Sequence, residues 1–438
     1  MSRDCSYCGQ RPRATARLPL AIAALAFAVV AAHPGSPILF QLLGPDYRLG
    51  YPIWCLFGCL MIHCAIRASS RRDQRPEATD WIYWYRAVLG LVLMCLALQS
   101  IATLTYYALR EMSAAIFLWA ASYLVTRQIR DLAFYAVVVT CLFNLISIVT
   151  VATFVGLDIP LYEWSVDSLR WISSSNPAYG RGDFDYWAMP AYLTVIPVER
   201  SPSEIALGYR AQRFPLLYSE ATFVWAAALP ALFAATFGRG FGGWRYLVIA
   251  ISFASLSMCP GVWGFLVAVL TLAVAALARC GRKVLFLVSA FCAASLFATV
   301  GYWLEPALTT LGGNKASQLA YFRDVIVLDS FVSVWGKLGD NVGADPASSY
   351  GWLFVAYRFG LVGVFAGAVF VCFSLLRLIL TLTSHRKSSV DVALALAALA
   401  SMLMSLKQTS MIALWSGLFI SALCRAADAN NRSQEAPA

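Results

Sequence analysis

The stretch RFPLLYSEATFVWAAALPALFAATF, from Arg213 to Phe237, decides the class of fold. It contains no charged side chain after Glu220, and its beginning carries both Arg213 and that glutamate. A helix that crosses a membrane needs about 20 consecutive apolar residues. We therefore predict a lipid-embedded helix here, from about residue 216 to 237, with an arginine and a glutamate near its N-terminal end.

The composition of the whole chain extends this prediction. Of 438 residues, 60% are hydrophobic and 13% are charged, and the mean hydropathy is +0.68. A soluble domain has fewer apolar residues and about twice the charged share. We predict an all-α fold: a polytopic membrane helix bundle of about 12 transmembrane helices, with two long periplasmic loops that contain short helices. The predicted spans cover approximately residues 14–33, 50–66, 87–109, 112–126, 132–155, 216–237, 246–258, 261–278, 284–303, 351–376, 391–405 and 409–424.

Basic residues cluster in every second connection between the predicted spans. Arg71 and Arg72 lie between the second and third spans, and Arg282 and Lys283 lie between the eighth and ninth. Short cytoplasmic loops carry an excess of Lys and Arg, so we predict that both termini are cytoplasmic. The formal net charge of +10 is then mostly a consequence of topology. A nucleic-acid partner thereby loses its main support.

The predicted topology divides the chain into tails, groups of spans and loops. No internal repeat relates the two halves, which counts against a transporter built from repeated halves. The basic start leads into a long apolar run without a clear small-residue cleavage site, which predicts a first span rather than a cleaved signal. The segments are a cytoplasmic tail (1–17), spans one to five (18–155), the first long periplasmic loop (156–215), spans six to nine (216–303), the second long periplasmic loop (304–350), spans ten to twelve (351–424) and a cytoplasmic tail (425–438).

Cysteines and acidic pairs give little support for a metal site. Most of the 12 cysteines lie in predicted spans, where cysteine behaves as a small hydrophobe. Cys5 and Cys8 form a close pair, but no second pair or nearby histidine completes a zinc site, which favours a plain cytoplasmic tail. Asp183 and Asp185, in GDFDYW, come close to a cation-binding loop but bring no further ligands. We expect no metal and no cofactor.

The two long outer loops are the places where function is expected, since long loops in a compact bundle usually carry it. The first is dense in Trp and Tyr, which suit either an interfacial aromatic belt or stacking on sugars. Within it, SPSEIALGYRAQR predicts a short helix with Ser201 as its cap, Pro202 in the first turn and Glu204 three residues after the cap. In the second loop, apolar residues at helical spacing predict a helix from about Lys315 to Trp335.

Charged side chains gather at the outer mouth of the predicted bundle, where the positive-inside rule disfavours cations. A charge at depth is costly and by default faces a cavity or a partner. A lipid diphosphate as ligand is the simplest explanation for these outer cations, because its tail can lie between spans while its phosphates bind arginines. A structural ion pair of Glu220 and interfacial snorkelling of the arginines are the alternatives. The cations are Arg210, Arg213, Arg323, Lys337 and Arg358, with Lys407 in the turn between the last two spans.

This pattern predicts glycosyl transfer from a lipid diphosphate. Glu220 is the leading candidate for the base that takes a proton from an acceptor sugar hydroxyl, or else it orients the arginines. The cations would stabilise the departing diphosphate. In this hypothesis the donor diphosphate is bound by Arg213, Arg323 and Arg358, assisted by Arg210 and Lys337.

Three stretches resemble the Wzy-type glycan polymerases and the related O-antigen ligases. RFPLLYSEATFVWA resembles an arginine followed by Glu-Pro-Ser at the start of a span, with Arg213 and Glu220 in place. LSMCPGVWGFLVAVL resembles the following span of that superfamily, without its arginine. FRDVIVLDSFVSVWGKLGDN and SSYGWLFVAYRFGLVGV resemble the second loop and its return to the membrane. There, Ser349 and Tyr350 replace the ligases' His-Asn pair; we count Tyr350 among the candidate substrate-binding residues.

The resemblance implies a polymerase of the bacterial inner membrane that acts at the periplasmic face. Its donor and acceptor would both be oligosaccharides linked to undecaprenyl diphosphate, with a chain-length regulator as a further partner. The product would be an exopolysaccharide, a capsule or an O-antigen. The missing His-Asn pair favours a polymerase over a ligase. A 12-span transporter or lipid-linked oligosaccharide flippase is the runner-up, although a flippase needs polar residues through the middle of the bundle, and these are few.

Overall fold

A computed structural model describes residues 14–32, 47–68, 80–104, 108–156, 185–188, 195–200, 212–213, 221–238, 242–259, 262–278, 334–336, 351–384, 388–405 and 413–435. These residues form eleven helices and three short strands. The helices are α1 (Ala14–Ala32), α2 (Tyr47–Ala68), α3 (Asp80–Thr103), α4 (Leu109–Ala121), α5 (Thr126–Gly156), α6 (Ala221–Phe237), α7 (Trp244–Met258), α8 (Val262–Leu277), α9 (Gly351–Leu382), α10 (Ser389–Ser405) and α11 (Leu414–Glu435). The strands are β1 (Asp185–Ala188), β2 (Val195–Arg200) and β3 (Gln212–Arg213).

Each predicted span except 284–303, which lies outside the described residues, overlaps one of these helices, with ends that differ by up to eleven residues. Four segments are long and apolar enough to cross a membrane: Gly50–Ala68, Trp81–Thr103, Thr126–Val149 and Phe359–Leu382. Six further helices contain shorter described apolar segments, of 10–17 residues. The described chain is therefore a helical bundle of a membrane protein, and the total of about 12 spans stays a prediction.

Large apolar side chains cover the outside of the bundle. Examples on different helices are Leu18, Ile53, Ile101, Phe253 and Phe265, each more than half exposed. Large exposed apolar surfaces are unusual on soluble monomers and mark a surface that meets another apolar phase. Acyl chains are that phase here, which agrees with the hydropathy of the helices.

The helices α10 and α11 form the centre of the bundle. α10 contacts α6, α8, α9 and α11, and α11 also contacts α3, α4 and α5. Nearly all of α10 is buried, and its sequence SVDVALALAALASMLMS is rich in small residues, which let helix backbones approach closely. At Gly417 in α11, an added Cβ would overlap the Leu118 side chain of α4. Nearby, the Phe27 and Trp415 rings meet edge to face, with centroids 4.7 Å apart.

Hydrogen bonds between helix ends orient the bundle. Arg86 near the start of α3 and Arg425 of α11 both donate from Nη2 to the carbonyl oxygen of Ser122, which follows α4. Gln128 near the start of α5 donates to the Ala65 carbonyl oxygen near the end of α2. We call this the basic end of the bundle. Because these contacts join helix starts to helix ends, α2, α3, α4 and α5 run in alternating directions, as consecutive spans require.

The first long loop adds a small antiparallel sheet to this all-α bundle. The strand order is β1-β2-β3, with Asp185 opposite Val198 and Glu199 opposite Arg213. We predicted a short helix beginning at Ser201; residues 201–211 lie outside the described part, and Gln212–Arg213 is a strand. Pairing with Glu199–Arg200 satisfies backbone groups of both segments, which explains the extended conformation there.

Candidate functional site

Helix α9 is interrupted at Gly360. Its φ of 61° and ψ of −164° are non-helical and lie in a region that is essentially restricted to glycine. A Cβ built on Gly360 would overlap the carbonyl oxygen of Val334 and the backbone nitrogen of Gly336. Glycine is thus required here for two reasons, the backbone conformation and the close approach of another chain segment.

The approaching segment, residues 334–336, is also bound to α3. The Gln99 side chain is fully buried, and its Nε2 donates to the Trp335 carbonyl oxygen over 3.0 Å. Gly336 has a φ of 82°, so the chain turns directly after this contact. We call Gln99, residues 334–336 and Gly360 the Gly360 junction. It lies at the end of the bundle opposite the basic end, because Gln99 is near the end of α3 and Arg86 near its start.

Two predicted substrate-binding residues flank the Gly360 junction. Lys337 follows Gly336 directly in the sequence and lies outside the described residues. Arg358 is on α9, two residues before Gly360, and only its backbone is described. Non-helical backbone at membrane depth is tolerated only where it is buried in protein or lines a watery cavity. At Gly360 this backbone is buried against residues 334–336, so it meets protein rather than lipid.

A buried ion pair lies at the same end of the bundle, at the start of α4. The Arg110 Nη2 and Glu111 Oε1 atoms are 2.9 Å apart, with the Glu111 side chain 2% and the Arg110 side chain 25% exposed. The Arg110 guanidinium is 6.0 Å from the centre of the Tyr51 ring on α2. Sequence reasoning missed this pair. The available signal was an arginine in a short outer connection, where the positive-inside rule disfavours it.

Most of the predicted site residues cannot be compared directly with this geometry. Arg213 is in β3, where its backbone lies opposite that of Glu199. Glu220 directly precedes the first residue of α6. The convergence of these residues on one ligand stays a prediction. The residues outside the described part are Arg210, Glu220, Arg323, Lys337, Tyr350 and Lys407, together with Cys5, Cys8 and Asp183.

The described residues also bear on metal binding. Within the ranges that the structure describes, no three His, Cys, Asp or Glu side chains are grouped so that they could hold a metal ion. Asp185 is in β1, opposite Val198. Chemistry without a metal stays a prediction from the sequence.

The fold and the junction together define a helical membrane protein with a polar, partly non-helical contact at one end of its bundle. No protein-family model matches the chain, and no curated protein matches it either.

Proposed function

We propose that this chain is an inner-membrane glycan polymerase that joins oligosaccharide repeat units linked to undecaprenyl diphosphate at the periplasmic face. The observation that carries the proposal is the Gly360 junction. It brings non-helical backbone and the buried Gln99 amide together at one end of the bundle, with Arg358 and Lys337 next to it along the chain. The motif resemblance to Wzy-type polymerases and O-antigen ligases supports the same activity.

The proposal assigns the basic end of the bundle to the cytoplasm. Arg86, Arg377 and Arg425 belong to this end, and Lys and Arg are enriched on the cytoplasmic side of membrane proteins. The Gly360 junction and the two long loops then belong to the periplasmic side. Both termini are cytoplasmic in this arrangement.

In the proposed reaction, a hydroxyl oxygen of the acceptor sugar attacks the anomeric carbon of the donor. The bond between that carbon and the diphosphate oxygen breaks, and undecaprenyl diphosphate leaves with its electron pair. The hydroxyl proton passes to Glu220. Arg213, Arg323 and Arg358, with Arg210 and Lys337, stabilise the negative charge of the leaving group, and Tyr350 contacts the substrate. The guanidinium groups have the role that a metal ion has in other transferases.

Among the described residues, Glu111 is a carboxylate at the same end of the bundle as the Gly360 junction, so it is an alternative candidate for the base. Glu111 is buried and its Oε1 accepts hydrogen bonds from both Nε and Nη2 of Arg110. This pairing gives Glu111 a structural role at the start of α4. Glu220 is therefore the residue that we assign to proton transfer.

The Glu220→Gln variant tests the assignment. We expect chain growth to be abolished, because an amide cannot accept the proton, while the protein accumulates and extracts from the membrane like the wild type. Gel ladders of lipid-linked glycan measure chain growth, and size-exclusion chromatography in detergent measures folding. Glu111→Gln is the matched control, which should lower the free energy of unfolding by about 1–3 kcal/mol, because the carboxylate that accepts hydrogen bonds from Arg110 is lost. Wild-type polymer lengths in Glu220→Gln would remove Glu220 from the mechanism.

A deletion strain separates the polymerase from the runner-up functions. A missing polymerase leaves single repeat units on their lipid at the periplasmic face. A missing flippase leaves the same units at the cytoplasmic face, and a missing ligase leaves full-length polymer on undecaprenyl diphosphate. Labelling of spheroplasts, in which the periplasmic face of the inner membrane is accessible, with a membrane-impermeant glycan probe distinguishes the first two outcomes.

A further inference from the structure

Trp225, near the start of α6, is held at two points by the end of α7 and the start of α8. Its indole Nε1 donates a hydrogen bond to the Cys259 carbonyl oxygen over 2.7 Å. Its ring lies against Gly264 of α8, where an added Cβ would overlap the indole. Trp225 is 8% exposed, so both contacts are shielded from lipid and water.

The sequence LSMCPGVWGFLVAVL explains why both contacts form. Pro260 disfavours helical backbone at the residue before it, and Cys259 accordingly has a φ of −130° and a ψ of 64°, so α7 ends at Met258. Carbonyl groups at the end of a helix lack partners within that helix, and the Trp225 indole supplies a donor to one of them. Gly264 has no side chain, which leaves room for the indole ring on the surface of α8.

The two contacts restrain α6 in different directions. The hydrogen bond fixes how far the start of α6 extends past the end of α7, and the ring contact fixes its distance from α8. A tryptophan side chain has only two rotatable bonds, so a ring held at two points leaves its own backbone little freedom. The first turn of α6 is therefore positioned by Trp225.

This turn carries the proposed base. Glu220 is bonded directly to Ala221, the first residue of α6, and Trp225 lies four residues further on. At 1.5 Å per residue, the restraint acts about 6 Å along the axis from that first residue. A shift of a reacting group by about 1 Å can lower a rate about a hundredfold.

We infer that Trp225 is a positioning residue, which sets the place of Glu220 relative to the end of α7 and the start of α8. The inference rests on the proposed function, since that function gives Glu220 its role as the base. Trp225 itself binds neither substrate in this assignment. Its loss should therefore slow the proton transfer and leave the binding of the lipid-linked repeat units unchanged.

The Trp225→Phe variant of the full-length protein tests the inference, because it keeps an aromatic ring and removes the indole N–H. Chain growth is measured in detergent with lipid-linked repeat units as the substrate, per amount of monodisperse protein. We expect kcat to fall about tenfold while KM stays within about twofold of the wild-type value. A merely structural role would lower the yield of monodisperse protein and leave its kcat unchanged.

Trp263→Phe is the matched control. Trp263 directly precedes Gly264, and its Nε1 atom is buried with no hydrogen-bond partner within the described part of the chain. The same substitution there removes an indole N–H without removing a hydrogen bond. We expect the control to keep the wild-type kcat and KM.

Hydrogen exchange provides a second measurement that does not depend on the polymerase activity. The amides of residues 225–228 are the first that can bond within α6. We expect them to exchange about tenfold faster in Trp225→Phe and at the wild-type rate in Trp263→Phe. If Trp225→Phe does not accumulate, Gly264→Ala replaces it, because the added Cβ displaces the ring. The expected changes in kcat and in exchange are the same.

Three results would overturn the inference. They are a wild-type kcat in the variant tested, wild-type exchange of residues 225–228 in that variant, and an equal loss of kcat in Trp263→Phe. A wild-type protein that forms no polymer from lipid-linked repeat units would instead refute the proposed function. The role of Trp225 toward a base would fall with it, and the exchange rates would still decide whether Trp225 holds the start of α6.

Discussion

Gly360 combines two constraints that usually occur separately. Its backbone conformation is one that other residues rarely adopt, and its missing side chain leaves room for the backbone of residues 334–336. Those residues are held from the other side by Gln99. A change at this one residue is therefore expected to move the chain segment that leads into Lys337.

We predict that Gly360→Ala destabilises the protein by about 2 kcal/mol or more, since the backbone conformation alone costs about 1–3 kcal/mol for a residue with a side chain. Overlap with Val334 and Gly336 adds to this cost. Thermal unfolding in detergent measures the loss. Gly90→Ala in α3 is the control, because an added Cβ there meets nothing within 4 Å and alanine favours a helix. Equal melting temperatures for the two variants would contradict the role given to Gly360.

Sequence reasoning reached the neighbourhood of this residue and missed its role. Arg358 was recognised because a charge at depth in an apolar run is costly. Gly360 gave no such signal, since glycine is frequent in transmembrane helices. Its special conformation follows from contact with residues 334–336, which are distant in the sequence. The pair Arg110–Glu111 was missed for a similar reason, because burial cannot be read from two adjacent charges.

The N-terminus of helix α10 is capped by hydrogen bonds between two side chains and the backbone. The Ser388 hydroxyl accepts a hydrogen bond from the Asp391 backbone nitrogen over 3.1 Å, and Asp391 Oδ2 accepts one from the Ser388 nitrogen over 3.3 Å. This is a reciprocal capping box. Asp391 Oδ1 also accepts from Arg130 Nη2 over 2.7 Å. The same carboxylate thus caps α10 and joins it to α5.

We predict that Ser388→Ala lowers the free energy of unfolding by about 1 kcal/mol, because the cap hydroxyl is lost. Chemical unfolding in mixed micelles measures this change, and hydrogen exchange of the first amides of α10 locates it. The adjacent Ser389 is exposed, so Ser389→Ala should leave both measurements near the wild-type values. A Ser388→Ala protein with wild-type exchange at the start of α10 would refute the capping role.

Capping patterns can be compared with the structure at one place. The pattern S-x-x-D at Ser388 marks the start of α10, two residues before the predicted span. A similar pattern predicted a helix from Ser201; residues 201–211 lie outside the described part, and only Gln212–Arg213, at the end of that stretch, are seen as a strand paired with Glu199–Arg200. A cap is a local signal, and strand pairing joins residues that the local pattern does not compare. The helices of the bundle were easier to predict from the sequence, because a long apolar run is by itself a signal for a membrane helix.

For the whole molecule, the described helices support the predicted order of spans, and the positive-inside rule predicts their orientation. The bundle follows from hydropathy because every helix that meets lipid must be apolar along its length. The candidate site does not follow in the same way. It depends on where two long loops meet the bundle, and most of their residues lie outside the described part.

We predict that reporter fusions will place both termini in the cytoplasm. Green fluorescent protein at the C-terminus should fluoresce, and alkaline phosphatase inserted in residues 156–215 or 304–350 should be active, because it folds only in the periplasm. Alkaline phosphatase inserted in residues 69–79 is the control and should be inactive. Active phosphatase in that control together with a dark C-terminal fusion would invert the topology and the assignment of the basic end.

Helix α7 has a consequence for the surrounding lipid. Described non-helical residues bound it at both ends, and at 15 residues and 1.5 Å per residue it measures roughly 22 Å, less than the hydrocarbon core of about 30 Å. A bilayer meets such a mismatch by thinning next to the protein. Headgroups along α7 are then drawn toward the midplane. The thickness of the membrane then influences how close to the bilayer midplane the headgroup of a lipid-linked substrate can lie next to this bundle.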